Sequence, residues 1–178
     1  MKPIGDSYAN QVEKALAAGR IADAEKLIDI GLSSEVPQYD RLLGLKTRIE
    51  EKKKAIIHNL DKMARQRLYD NKLTTPTGDS AYYFYNEIMK MDPGSMLAQD
   101  GFKAIADRYA SLADKAYRKF DLAAADVYVR RGLQVMPDHA RLQKLKADLS
   151  KSPAEKIFKG VEKNLDVLGK NIEGLFSN

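Results

Sequence analysis

The chain has 178 residues, of which 44% are hydrophobic and 31% are charged, and its formal net charge is +5. This composition is too apolar for a disordered protein and is ordinary for a folded domain or a short repeat array. Cysteine is absent, which excludes disulfides, thiolate metal sites and cysteine nucleophiles. No uncharged apolar stretch approaches the ~18 residues that a membrane span requires. The basic excess is mild and includes no clustered stripe of the kind that binds nucleic acid.

Helical patterns run through most of the sequence, while the alternating runs typical of strands are missing. Glycine and proline interrupt the helical spacing at regular places, and capping residues mark several helix starts. Asp79 ahead of Ala81 is one predicted start signal, and the run 152–155 predicts a capping box. The sequence therefore predicts an all-α protein. The expected helices lie near 6–18, 21–32, 38–70, 80–91, 94–118, 122–135, 138–150 and 153–176, with a break inside 38–70 left open.

One pattern recurs three times along the chain. An alanine is followed four residues later by a bulky apolar residue and 12 or 13 residues later by a proline. The instances are Ala24, Ile28 and Pro37; Ala81, Tyr85 and Pro93; and Ala125, Val129 and Pro137. Such a repeat predicts a helical solenoid, in which neighbouring helix pairs supply each other's core. Solenoids usually present a surface, so the pattern favours a binding function over catalysis.

The last full unit of this pattern resembles a tetratricopeptide repeat. The residues that carry the resemblance are Tyr109, Leu112, Ala113, Ala116, Ala125, Val129, Gly132 and Pro137. The first unit is similar through Tyr8, Ala15, Gly19, Ala24, Ile28, Gly31 and Pro37. The middle unit departs from the family through a longer turn at 73–79. The resemblance implies a right-handed helical solenoid over residues 1–151, with units at about 6–37, 38–93 and 94–150, closed by an amphipathic capping helix at 152–178.

Repeats of this family typically bind peptides in a groove lined by the first helix of each pair, and the resemblance implies corresponding positions here. In the last unit they are Asp107, Ala110, Asp114, Tyr117 and Arg118. In the middle unit, a register shift of five residues absorbs the long turn. The groove positions are then His58, Asp61, Arg65, Leu68 and Tyr69, with Leu60, Met63 and Ala64 in the core. The implied groove is mixed, because the arginines suit a carboxylate and the tyrosines suit apolar groups.

Tyr82 and Tyr83 belong to a run of four aromatic residues, 82–85, in a predicted helix. Successive helical residues point about 100° apart, so four in a row cannot all face the core. We predict that Tyr85 lies in the core, and two interpretations of Tyr82 and Tyr83 stay open. Either they are buried beneath the 73–79 turn, or they contact a partner, since exposed tyrosines are favoured interface anchors.

The C-terminal segment carries an uninterrupted heptad seam with steps of three and four residues. The seam consists of Phe158, Val161, Leu165, Leu168, Ile172 and Leu175. Three interpretations stay open: the helix caps the solenoid, it self-associates through residues 153–176, or it lies on a membrane surface. Glycines and mixed charges along the helix weaken the membrane interpretation.

The two histidines of the chain, His58 and His139, lie in different units without a second ligand at helical spacing. They therefore predict neither a metal site nor acid–base catalysis. We expect no cofactor and no enzymatic activity.

The predicted function is that of a protein-interaction module or scaffold, which binds a protein or peptide in the groove as part of a larger bacterial assembly or signalling protein. The alternatives are oligomerisation through the C-terminal helix and, with less support, nucleic-acid binding by the basic surface. A membrane surface is not an expected partner. A cytoplasmic location is slightly favoured, while a periplasmic location and an excised-domain origin stay open.

Overall fold

A computed structural model describes residues 4–34 and 39–151 of the chain. These residues form seven α-helices, which account for 81% of them, and they include no strand. The helices are α1 (Ile4–Ala17), α2 (Ile21–Ser33), α3 (Tyr39–Tyr69), α4 (Ala81–Met91), α5 (Met96–Arg118), α6 (Leu122–Val135) and α7 (Ala140–Ser150). The all-α prediction is confirmed. Each predicted boundary within the described ranges lies within two residues of the observed one, and 38–70 contains no break.

The chain divides into two compact units, residues 1–102 and 103–178, and helix α5 runs across the division. Each unit has its own buried cluster of apolar side chains. The predicted domain boundary between residues 151 and 152 lies at the edge of the described part, so it stays a prediction. Among the described residues, no helix is both long and apolar enough to cross a membrane.

The first core of unit one lies between α1, α2 and the N-terminal half of α3. Its buried residues are Ala9, Val12, Ala15, Leu16, Ile21, Ala24, Ile28, Leu42, Leu45 and Ile49. Helices α2 and α3 approach closely at Gly31, where an added Cβ would lie 3.1 Å from Leu42 Cδ1 and 3.4 Å from Tyr8 Cβ. The missing side chain at Gly31 is therefore what allows Leu42 to sit between the helices.

The C-terminal half of α3 packs against α4, and this contact fills the rest of unit one. Ala64 is fully buried, as predicted, and Leu60 is half-buried. Met63 is 43% exposed, so its predicted core position is wrong. Met63 is exposed because successive residues of a helix point about 100° apart, and the next residue, Ala64, faces inward. Tyr85 is buried as predicted.

The core of unit two is built by α5, α6 and α7. Ala106, Ala110, Ala113, Val129, Leu142 and Leu145 form it. A Cβ added at Gly132 would lie 2.5 Å from Leu142 Cδ1 and 2.9 Å from Tyr109 Cβ. The same three residue types meet at Gly31 in unit one, and Gly31 and Gly132 each follow a buried alanine by seven residues. One glycine–tyrosine–leucine packing arrangement thus occurs in both units.

The long turn between α3 and α4 is anchored to the helices on either side. Leu73 is buried, and its carbonyl oxygen accepts a hydrogen bond from the Tyr82 amide at 2.9 Å. Ser80, rather than Asp79, caps α4, since its side chain accepts from the Tyr83 amide at 3.2 Å. The Asp79 carboxylate instead accepts from Arg67 Nε at 2.6 Å, so the predicted start signal was one residue early.

Asp79 gives the turn a pH-dependent contribution to stability. Its hydrogen bond from Arg67, with a further one from Lys72, lowers the pKa of the Asp79 carboxyl below its usual value. A group with a lowered folded-state pKa stabilises the fold above its unfolded value of about 3.9, and this contribution is lost as pH falls through the folded value. Asp79→Asn is therefore expected to lower the thermal midpoint at about pH 7, with the difference from wild type shrinking as the solution is acidified.

Thermal unfolding from about pH 7 down to about pH 2 measures that difference, with the exposed Asp29→Asn in α2 as the control. Asp29→Asn is expected to leave the midpoint unchanged throughout. A difference between Asp79→Asn and wild type that persists undiminished in acid would contradict the ion-pair origin.

Candidate functional site

Four of the predicted partner-binding residues line one concave patch on α3. The patch is open, has a volume of about 560 Å³, and is lined by His58, Asp61, Lys62, Arg65, Gln66 and Tyr69. These residues follow one another at steps of one and three, which places them along one stripe of the helix. We call this stripe the α3 concavity. Lys62 and Gln66 were not predicted, although they lie four and eight residues after His58 and therefore on the same side of the helix.

Asp61 is the most buried member of the α3 concavity. Its side chain is 15% exposed, and its Oδ2 accepts a hydrogen bond from Arg65 Nε at 2.8 Å. The other oxygen, Oδ1, is buried and has no hydrogen-bond partner among the described residues. A buried carboxylate oxygen without a donor is costly, because it has lost water and gained nothing in exchange. Asp61 therefore holds an acceptor at the base of the concavity that a further donor would satisfy.

The electrostatics beneath the concavity involve Tyr85, which projects from α4. Burial raises the pKa of the Tyr85 hydroxyl above its ordinary value, and the neighbouring Asp61 carboxylate raises it further. The hydrogen bond to Asp61 in turn raises the pKa of the Arg65 guanidinium. At neutral pH the Tyr85 phenol is therefore neutral and the Arg65 guanidinium is charged.

Two side chains of the concavity stand well out in solvent. The Arg65 side chain is 68% exposed, and in the described part of the chain only its Nε is engaged, by Asp61. Tyr69, at the last position of α3, is 83% exposed. The rest of the Arg65 guanidinium and the Tyr69 ring are accessible to a ligand, so one charged donor and one aromatic surface lie a single helical turn apart.

Tyr82 and Tyr83 occupy the start of α4, away from the concavity's lining. The Tyr82 ring is 38% exposed and packs against Phe102, with ring centroids 5.4 Å apart. Tyr83 is half-buried and meets Phe84 edge-on at 5.2 Å. Neither side chain is fully covered, so contact with a partner through these tyrosines stays a prediction.

The predicted residues on α5 belong to unit two, and two of them already have partners. Asp107 Oδ1 lies 3.0 Å from Nε2 of His139, and the Asp114 carboxylate accepts a hydrogen bond from Arg141. Nδ1 of His139 accepts from the Leu142 amide, which assigns the ring proton to Nε2 and makes it the donor to Asp107. Both carboxylates thus tie α5 to α7.

The remaining predicted positions differ in exposure. Tyr117 is half-buried and Arg118 is exposed. Ala110 is fully buried in the core of unit two, so its predicted place on the groove is wrong. It faces inward because it is one turn from Ala106 and Ala113 on the stripe that contacts α6 and α7. Leu68 is half-buried.

The seam residues Phe158, Val161, Leu165, Leu168, Ile172 and Leu175 lie outside the described residues, as does the predicted helix 153–176. Within the described ranges, no group of three or more histidine, aspartate or glutamate side chains is arranged to hold a metal ion. Comparison with protein-family models, with curated proteins and with solved structures returned no match for this chain.

Proposed function

We propose that this chain is a protein-interaction module of tetratricopeptide-like helical units, which binds a segment of a partner protein in the α3 concavity. The repeated alanine spacing supports the helical units, and so does the packing of Gly31 and Gly132 against a leucine and a tyrosine. The observation that carries the binding proposal is the concavity itself. It combines exposed Arg65 and Tyr69 with a buried acceptor on Asp61.

The chemistry of the concavity defines the kind of segment that it binds. Lys62 and Arg65 supply positive charge at the surface, and a carboxylate of the partner would pair with the guanidinium through charge-assisted hydrogen bonds. Tyr69 offers a ring for an apolar side chain one turn away. The preferred segment therefore carries an acidic residue next to an apolar one.

The site's helical scaffold favours such recognition. All six lining residues belong to the continuous helix α3, whose inner face is held by buried contacts with α1, α2 and α4. A backbone that is fixed in a packed helix loses little conformational freedom when a ligand arrives. The concavity is in this sense preformed, and binding would not need a rearrangement of the backbone.

The proposal predicts that Tyr69→Ser removes capture of the partner while leaving the fold intact. Tyr69 is 83% exposed, so its loss removes no core contact, whereas an aromatic anchor in an interface typically contributes more than about 1 kcal/mol. We expect the amount of partner retained on the immobilised chain, from a lysate of the source organism, to fall at least about fivefold.

Tyr39→Ser is the matched control, because Tyr39 is an exposed tyrosine at the opposite end of the same helix. It is expected to retain the partner at the wild-type level. Capture of the same protein by wild type and by Tyr69→Ser in equal amounts would show that the α3 concavity is not the binding surface.

A further inference from the structure

Phe120 occupies the turn between α5 and α6 in a conformation that is unfavourable for its residue type. Its φ is +61°, in the left-handed region that suits glycine, and its side chain is 88% exposed. The corresponding turn between α1 and α2 has Gly19, with φ +72°. The other non-glycine residue with positive φ in the described part is Asn71, a type that tolerates this region.

The fold does not need phenylalanine at this position. A bulky residue with a positive φ strains the backbone. An aromatic ring that stays in solvent also adds no hydrophobic stabilisation, because it is not buried. The backbone of the turn is held without the ring, since the Phe120 amide donates to Tyr117 O and the Asp121 amide to Ala116 O, both at 3.0 Å. Glycine would therefore suit the backbone of this turn better, and no packing that is seen among the described residues accounts for the ring.

The surroundings of Phe120 indicate the charge of what it contacts. Lys115, Arg118 and Lys119 lie within five residues of it and are exposed, and their side chains make no hydrogen bond or ion pair with the described residues. Leu122, on the other side of the turn, is 39% exposed. Asp121, the one acidic residue within five positions of Phe120 in the sequence, is engaged in capping α6, where it accepts from the Ala124 amide at 3.0 Å.

We infer that the α5–α6 turn is a contact point for the surface of an anionic lipid bilayer, with the Phe120 ring in the interfacial layer and the three cations at the lipid phosphates. A bilayer accepts a single protruding aromatic without a matching pocket, and unpaired lysine and arginine side chains are attracted to anionic headgroups. The glycines and mixed charges that weaken a membrane interpretation belong to the C-terminal segment and not to this turn. The inference is independent of the function proposed for the α3 concavity.

The test uses the full chain and vesicles of phosphatidylcholine, with or without phosphatidylserine. Wild type is expected to sediment with the serine-containing vesicles and to remain in solution with phosphatidylcholine alone. Phe120→Gly is expected to bind about tenfold more weakly because the buried ring is lost. Its thermal midpoint should be unchanged or higher, because glycine adopts the positive φ without strain. Lys115→Gln with Lys119→Gln is expected to weaken binding about fivefold for each cation removed.

A second variant reports the position of the ring directly. The chain contains no tryptophan, so Phe120→Trp introduces a single tryptophan whose emission is expected to shift to shorter wavelength with the serine-containing vesicles. Tyr39→Trp, which places the reporter at an exposed position in unit one, is expected to show no shift. The inference is overturned if wild type does not sediment with anionic vesicles. It is also overturned if Phe120→Gly binds them as well as wild type, or if the Phe120→Trp emission does not move.

Discussion

Replacing Gly101 with alanine is expected to lower the free energy of unfolding by about 3 kcal/mol, even though alanine is the better helix former. The new Cβ would lie 2.4 Å from both Cε1 and Cζ of Tyr85 and 2.5 Å from its Cδ1. These are ring atoms of a side chain that is 3% exposed and packs edge-on against Phe102 at 6.2 Å. The ring has no free space to enter, so α4 and α5 must separate. Urea unfolding followed by circular dichroism measures the effect.

Gly44→Ala is the matched control for this substitution. Gly44 lies inside α3, and an added Cβ would meet nothing within 4 Å. Its replacement is expected to raise the free energy of unfolding by about 0.5–1 kcal/mol through helix propensity alone. Adding Tyr85→Leu to Gly101→Ala is expected to recover part of the loss by shortening the obstructing side chain. If Gly101→Ala were as harmless as Gly44→Ala, the close approach of α4 and α5 would be wrong.

Leu42→Ala is expected to cost about 3 kcal/mol of unfolding free energy. The Leu42 side chain is fully buried and fills the space that Gly31 leaves between α2 and α3. Its removal leaves a cavity between helices that the surrounding core holds in place, so the neighbouring side chains can do little to fill it. The same substitution at Leu142, which packs against Gly132 in unit two, is expected to have a similar cost.

Leu43→Ala is the control, because it removes the same number of carbon atoms as Leu42→Ala but from a side chain that is 39% exposed. Leu43→Ala is expected to change the free energy of unfolding by less than about 0.5 kcal/mol. Denaturant titration of the three variants ranks them. Equal losses for Leu42→Ala and Leu43→Ala would contradict the assigned rotation of α3.

Most of the helical framework was predictable from the sequence because its signals are local. Helices α1, α4 and α6 each end two residues before a glycine or proline, whereas α5 ends at Arg118 with neither nearby. The repeated alanines mark positions that are fully buried, as at Ala24, Ala81 and Ala125. The errors in the predicted helix boundaries are small, of one or two residues. Asp79 and Ser80 are both good capping residues, and only the observed backbone decides which of the two lies at the helix start.

The candidate site was predictable in part. A single helical stripe brings His58, Asp61, Arg65 and Tyr69 to one face of α3, and that spacing can be read without a structure. The pairing of Asp107 with His139 was not readable, because it joins residues 32 positions apart through the packing of α5 on α7. The exposure of Phe120 was not predicted either, but for a different reason, since a large aromatic residue is ordinarily expected to be mostly buried even between two helices.

The most direct test of the proposed function is photocross-linking from the α3 concavity. A benzophenone amino acid is placed at position 69, or at position 39 as the control, and the chain is irradiated in lysate of the source organism. The account predicts one dominant adduct from position 69, lost when Arg65→Glu is added, and no such adduct from position 39. The same adduct from both positions, or none from position 69 while the chain still captures a protein, would contradict binding in the α3 concavity.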